Sequence, residues 1–266
     1  MIGARSQFQL ALSDVTEGMR AVHVWTALGW QDILQRYRRS LLGPLWLTIS
    51  TGIMVAIMGP LYGKLFSQDI GGYFGFLAIG FVVWQLIAQT INDCCSAFIT
   101  AESYIKQIKL PLSVHILRVV WKNVIIFLHN MVVVIAVLAW LQPHLRANVL
   151  LFPLAVAAFA LNAFFFGTVL GIVCARFRDI PLIIVNVVQA SFFLTPVLWV
   201  PGMLGRHSWT VDLNPFYHFI EIIRAPLLGE PVNPRSWLIV IAITVFGGVW
   251  ALSMLKRYRA RVAYWV

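Results

Sequence analysis

Few residues in this chain are placed to do covalent chemistry. Asp212, His218 and Glu221 combine an imidazole with carboxylates, and His218 and Glu221 lie three apart, so they can share a helix face. Such a set could act as general acid and base in moving a sugar or an acyl group. Helix capping and surface polarity account for the same residues. "GPLYGK", from Gly59 to Lys64, looks like the start of a phosphate loop. A Walker A sequence needs four residues between its glycines and Ser or Thr after the lysine. Here three residues intervene and Leu65 follows, so the chain does not hydrolyse ATP by that route. The 6 histidines show no H-x-x-x-H spacing, and no metal is assigned. Cys94, Cys95 and Cys174 make no C-x-x-C pair. That excludes a disulfide framework or zinc site and leaves them as small buried apolar residues.

Positive charge is the stronger signal. "QRYRRSLLGPLWLTIS", from Gln35 to Ser50, sets Arg36, Arg38 and Arg39 just before Gly43 and Pro44 and the start of an apolar run. Arginine suits bidentate contact with phosphate. The same cluster would also anchor a membrane helix by the positive-inside rule. Both readings stand on sequence alone.

The element that follows must be a membrane span. Of 266 residues, 60% are hydrophobic and only 11% charged, against about 25% charged in a soluble domain. Such a chain cannot cover itself with polar groups, so lipid is its solvent. Six stretches approach the ~20 apolar residues that a bilayer core requires. They run over about 41–62, 73–92, 115–141, 149–175, 180–200 and 237–255. With the N-terminus inside, fifteen of the 20 Lys and Arg fall on the inner segments and five on the outer ones. Both termini are therefore expected in the cytoplasm. The net charge of +10 is explained without nucleic acid. The first residues show no sustained apolar run of a signal peptide.

Three shorter segments flank the spans. Residues 1–40 hold the N-terminus and an amphipathic helix over roughly Asp14 to Ser40. Asp14 is expected to cap that helix and Glu17 to reach back to it. It would lie in the membrane interface, pack on a partner protein, or both. A short helix is expected at about 97–109, between the second and third spans. Between the fifth and sixth, about 201–235 mixes Pro and Gly with apolar residues, and "NPFYHFIEIIRAPLLG" has helical spacing but is too short and polar to cross. A re-entrant pair of helices suits it. Residues 256–266 form a basic tail.

Polar residues inside spans are either glue between helices or lining of a path. Gln85, Gln89 and Asn92 recur at i, i+4, i+7, and Asn186 and Gln189 share a face of the fifth span. Near-absence of charge within the spans argues against a proton relay. Many aromatics, Trp46 among them, fall near span ends, as an interfacial belt would. Aromatic rings also stack on the apolar faces of sugars.

Several motifs together resemble the membrane subunits of type-2 ATP-binding-cassette exporters of O-antigen, capsular polysaccharide or teichoic acid. They are "RYRRSLLGPLWLTI", "YIKQIKLPLSVHILR", "ARFRDI", "TPVLW", "NPFYHFIEIIRAPLLG" and "KRYRARVAYWV", in that order over about 14–266. The resemblance implies an all-α integral membrane protein. Six transmembrane helices (41–255) follow an N-terminal interface helix, with a cytoplasmic coupling helix and re-entrant outer helices. It implies a bacterial inner-membrane homodimer with two separate nucleotide-binding ATPase subunits. ATP and Mg would sit on those partners, and no cofactor on this chain. The cargo would be an undecaprenyl-linked glycan, with Arg36, Arg38 and Arg39 at the depth of its pyrophosphate. Ser103, Tyr104, Lys106 and Lys109 would couple to the ATPase. Trp46, Gln85, Gln89, Asn186 and Gln189 would line the path, and Asn214, Pro215, Tyr217, Glu221 and Arg224 would form an outer gate. The alternatives are a drug- or small-lipid permease of the same superfamily, or a membrane-embedded glycosyl or acyl transferase.

Overall fold

The computed structural model describes residues 6–38, 43, 45–142 and 147–266. Every regular element among them is helical. In chain order these are α1 (Gln7–Arg20), α2 (Val22–Tyr37), α3 (Leu45–Leu65), α4 (Ile70–Thr100), α5 (Glu102–Gln107) and α6 (Leu112–Leu141). Then come α7 (Leu151–Arg176), α8 (Ile180–Leu194), α9 (Pro215–Leu228) and α10 (Pro234–Trp265), with 3-10 segments at Ala147–Leu150 and Pro201–Leu213.

Local sequence sets most boundaries. Asp69 accepts from Gly72 N at the start of α4. Asn214 and Asn233 cap α9 and α10, each followed by proline in the first turn, where a missing N–H costs nothing. Gly229 closes α9 at φ 72°, a left-handed conformation that glycine adopts without strain.

Five helices are long and apolar enough to cross a membrane. They match five of the six expected spans. The fifth expected span, 180–200, is corrected: α8 stops at Leu194 after 15 residues. At 1.5 Å per residue it reaches roughly 22 Å, short of a ~30 Å hydrocarbon core. Thr195 turns extended (φ −95°, ψ 137°) because it precedes Pro196, whose ring disfavours helix in the residue before it. The second span instead overruns its expected end: α4 continues through Asp93 to Thr100, and α5 is a separate short helix.

The N-terminal region also departs from expectation. Two helices, broken at Ala21, replace the single one expected from Asp14. A reciprocal capping box does open the first, but at Ser6 and Gln9. Asp14 lies in the middle of α1.

Helix α4 is the central post, packed against α6, α7, α3, α9 and α8. Its seam with α7 depends on small residues. A Cβ on Gly167 would stand 2.6 Å from Cys94 Sγ, and one on Gly171 would stand 2.9 Å from the Phe98 ring. This is the close backbone approach that G-x-x-x-G spacing permits. All three cysteines are buried. The bundle has two distinct ends. The basic end gathers α1, α2, α5, the start of α6 and the tails of α7 and α10, where Arg178 bonds the Trp265 carbonyl. The far end gathers α9, the 3-10 segments and the start of α10.

Candidate functional site

At the basic end, Asp14 joins three elements. Its carboxylate accepts from Leu112 N and Ser113 N, both at 3.0 Å, and so caps α6 rather than its own helix. Ser113 Oγ donates back to the Asp14 carbonyl at 2.6 Å. Arg259 Nε, from the tail of α10, reaches the same carboxylate at 3.1 Å. The tail is thus a docked helix, not a loose strand of charge. Helix α2 docks beside this junction. Asp32 takes a bidentate pair from Arg118, and a Cβ on Gly29 would stand 3.0 Å from the Arg118 carbonyl oxygen.

Helix α5 leaves the post one residue after α4 ends. Ser103, Lys106 and Lys109 are exposed. Lys106 pairs with Glu102 one turn back at 2.6 Å, and Tyr104 lies under the Arg118 guanidinium at 5.6 Å. A short exposed helix braced on α6 is a geometry suited to being pushed by another protein. Arg38 is exposed at the end of α2. Arg39, Pro44 and the side chain of Arg36 lie outside the described residues.

In the basic-end half of the bundle, α3, α4 and α6 enclose a polar cleft of about 380 Å³. Gln85 and Gln89 both face it. Gln85 Oε1 accepts from Thr51 Oγ1 at 3.1 Å and Asn130 Nδ2 at 3.2 Å. Gln89 Nε2 donates to Asp93 at 2.8 Å, Asn123 Nδ2 to the same carboxylate at 3.0 Å, and Lys122 Nζ lies 2.6 Å from it. Trp46 on α3, and Asn186 and Gln189 on α8, are exposed on the single chain and lie outside this cleft. Residue-by-residue reading of the third span missed Asn123 and Asn130. They recur at i, i+7, the spacing that singled out Gln85 and Asn92, so the same search would have found them.

The far end is held by α9. Asn214 caps it through Phe216 N and donates to Thr195 Oγ1 at 2.9 Å. Arg224 is 2% exposed. Its Nη1 donates to the Pro196 carbonyl at 3.0 Å, its Nη2 to Glu221 at 2.9 Å, and its guanidinium covers the Phe76 ring at 3.7 Å. Pro215 and Tyr217 complete the first turn. Burial raises the carboxyl pKa of nearby Glu230 above its ordinary value; Glu221 adds to this and Arg224 opposes it.

Asp212, His218 and Glu221, weighed above as an acid–base set or as structural polar residues, are held in structural contacts. His218 Nε2 must donate to the Asp212 carbonyl, 2.9 Å away, and Nδ1 lies 3.0 Å from Ser236 Oγ. The Asp212 carboxylate pairs with Arg235 at 2.5 Å, and Glu221 with Arg224. Each group is committed to joining α9, α10 and the 3-10 segment, which leaves no free base.

Long apolar helices, an exposed short helix between two of them and a short buried helix before the last point to transport. Residues 23–228 match the ABC-2 type transporter family. The chain belongs to that family. Relatives of this ABC-2 chain include an O-antigen export system permease protein RfbA of Klebsiella pneumoniae, 24% identical, covering 88% of this chain and 91% of its own length. A protein of the same name from Myxococcus xanthus is 22% identical over 86% and 89%. A second from Klebsiella pneumoniae is 27% identical over 81% and 84%. An ABC-2 chain is a membrane transport subunit rather than a catalytic one, consistent with the committed side chains of the far end.

Proposed function

We propose that this chain is the transmembrane subunit of an ATP-driven exporter of O-antigen-type polysaccharide carried on undecaprenyl pyrophosphate. The observation that carries the reading is membership of the ABC-2 family together with three O-antigen export permeases matched over most of their length. Two copies form the path. Helices α3 and α8 expose Ile53, Ile57, Leu182, Ile183 and Phe193, an apolar surface suited to lipid or to a second copy. Two ATPase subunits bind ATP and Mg at the basic end and push on α2 and α5. The Lys and Arg bias supports an inner-membrane position with both termini cytoplasmic. Motion at α5 passes through α6 to the bundle, while α9 gates the far end. Sugars slide past weak, repeated contacts, as conduction requires. Deleting this chain should remove surface polymer and leave lipid-linked glycan inside the cell. Polymer still reaching the surface would end the proposal.

The arginines before α3 have a second part in this proposal: Arg36, Arg38 and Arg39 attract the pyrophosphate as the lipid enters. A basic residue near an anionic surface contributes about 1 kcal/mol. Gln at Arg36 and Arg39 together should therefore weaken lipid capture by about 2 kcal/mol, ~30-fold. The check is export rate against glycan supply in cells where the variant inserts normally. Wild-type export at limiting supply would reduce these residues to anchors.

A further inference from the structure

The polar cleft between α3, α4 and α6 carries more hydrogen-bonding capacity than the fold uses. Asn123 and Asn130 are 2% and 3% exposed, yet the side-chain oxygen of each has no partner among the described residues. The amide oxygen of Asn92, in the same wall, is also unpaired. Buried polar atoms are ordinarily satisfied, so each such atom asks for an explanation. The Asn123 orientation is fixed by chemistry. Its Nδ2 faces the Asp93 carboxylate at 3.0 Å and the Val119 carbonyl at 3.1 Å, both of which only accept. The oxygen must therefore point away from them.

The charge in this wall is already balanced, since Asp93 is paired with Lys122 at 2.6 Å. What remains is a set of amide acceptors without net charge. Such a set suits a neutral ligand rich in donors. The volume of about 380 Å³ far exceeds the ~15 Å³ that one water needs. Trp84 and Phe127 add aromatic walls beside the amides. Trp84 is held against Phe192 and Phe216, so that wall is braced. Aromatic lining beside unpaired acceptors matches a sugar ring, with hydroxyls around its edge and apolar C–H groups on its face.

We infer that this cleft binds a neutral sugar unit of the transported glycan within a single protomer, through Asn92, Asn123 and Asn130 and the Trp84 and Phe127 rings. The inference rests on the proposed polysaccharide export. The site lies beside the first two turns of α3, the helix that follows the arginine cluster in sequence. A sugar close to the pyrophosphate would reach it first.

Ser50 reports on occupancy. It lines the cleft, and its hydroxyl bonds to its own helix at the Leu47 carbonyl. The native cysteines are buried. Ser50→Cys is placed in the full transporter, in inside-out vesicles, and treated with a membrane-impermeant methanethiosulfonate. Vesicles from cells making lipid-linked glycan are compared with vesicles from cells making the lipid carrier but no sugar. Labelling should be about tenfold slower with glycan present. Adding Asn130→Leu should remove most of the protection, judged as the ratio of rates with and without glycan in that same variant. Equal rates with and without glycan would mean the cleft holds water only and would overturn the inference. So would a thiol that never reacts, or protection that survives Asn130→Leu. Surface polymer is measured in the same cells. Normal export with equal rates sinks the cleft and spares the export proposal, whereas export independent of this chain sinks the export proposal itself.

Discussion

An Arg224→Met variant should lose about 3–5 kcal/mol of stability, the usual result of stranding one partner of a buried ion pair. Arg224 does three jobs at once: it bonds the Pro196 carbonyl, pairs with Glu221 and covers Phe76. These contacts hold the turn after α8 against α9 and α4. Methionine keeps the apolar stem and removes the rest. Glu221, its side chain 15% exposed, is left with an uncompensated charge. Arg224→Lys should also fail in large part, because one ammonium cannot reproduce a planar fork that bonds two oxygens and stacks on a ring. Pairing Arg224→Met with Glu221→Gln should recover part of the loss by removing the stranded charge. Thermal unfolding in detergent is the measurement. Unfolding of Arg224→Met at the wild-type temperature would show that α9 and the turn after α8 stand without this staple.

Asp14→Ala is expected to cost about 2–3 kcal/mol. Losing a helix cap accounts for ~1 kcal/mol, and the buried N–H groups left without an acceptor account for the rest. Two such groups, on Leu112 and Ser113, face Asp14, and Arg259 loses its carboxylate as well. The functional effect should be distinctive. Only Ile108–Pro111 separates α5 from the capped end of α6. A push on α5 arrives at the point where α1, α6 and α10 are tied. Without the tie, ATP should still be hydrolysed while the glycan exported per ATP falls several-fold. Asp14→Asn, which keeps an acceptor and loses the charge, should lie between. Coupling measured in vesicles at matched transporter content decides it. An Asp14→Ala protein that folds and exports at the wild-type ratio would deny the junction any part in transmission.

The five long helices were legible because hydropathy is a local property, averaged over many residues. So was the broken stretch before the last long helix, through its Pro and Gly breakers. The end of α8 could have been read as well, since Pro196 announces it. Asp14 was misread for a physical reason. "DVTE" carries the pattern of a capping box, but the N–H groups it satisfies belong to residues 98 and 99 positions away. No local pattern distinguishes an aspartate that caps its own helix from one that caps another. Asp93 was placed outside its span because a charge normally ends one. Lys122, from a different helix, neutralises it and lets α4 run on. The polar cleft was half visible, in Gln85 and Gln89. Asn123 and Asn130 were open to the same search, but that the two halves face one another is visible only with α6 beside α4.

The brevity of α8 bears on the membrane as much as on the protein. A helix of 15 residues presents roughly 22 Å of apolar wall. Wherever lipid meets that wall it must shorten or tilt to avoid exposing its tails, and thinning of this kind is a known response to mismatch. In the proposed exporter, a hydrated polymer crossing next to α8 would meet an insulating layer about a quarter thinner than the surrounding bilayer. Part of the work of moving sugars through oil would then be done by the shape of the barrier before any ATP is spent.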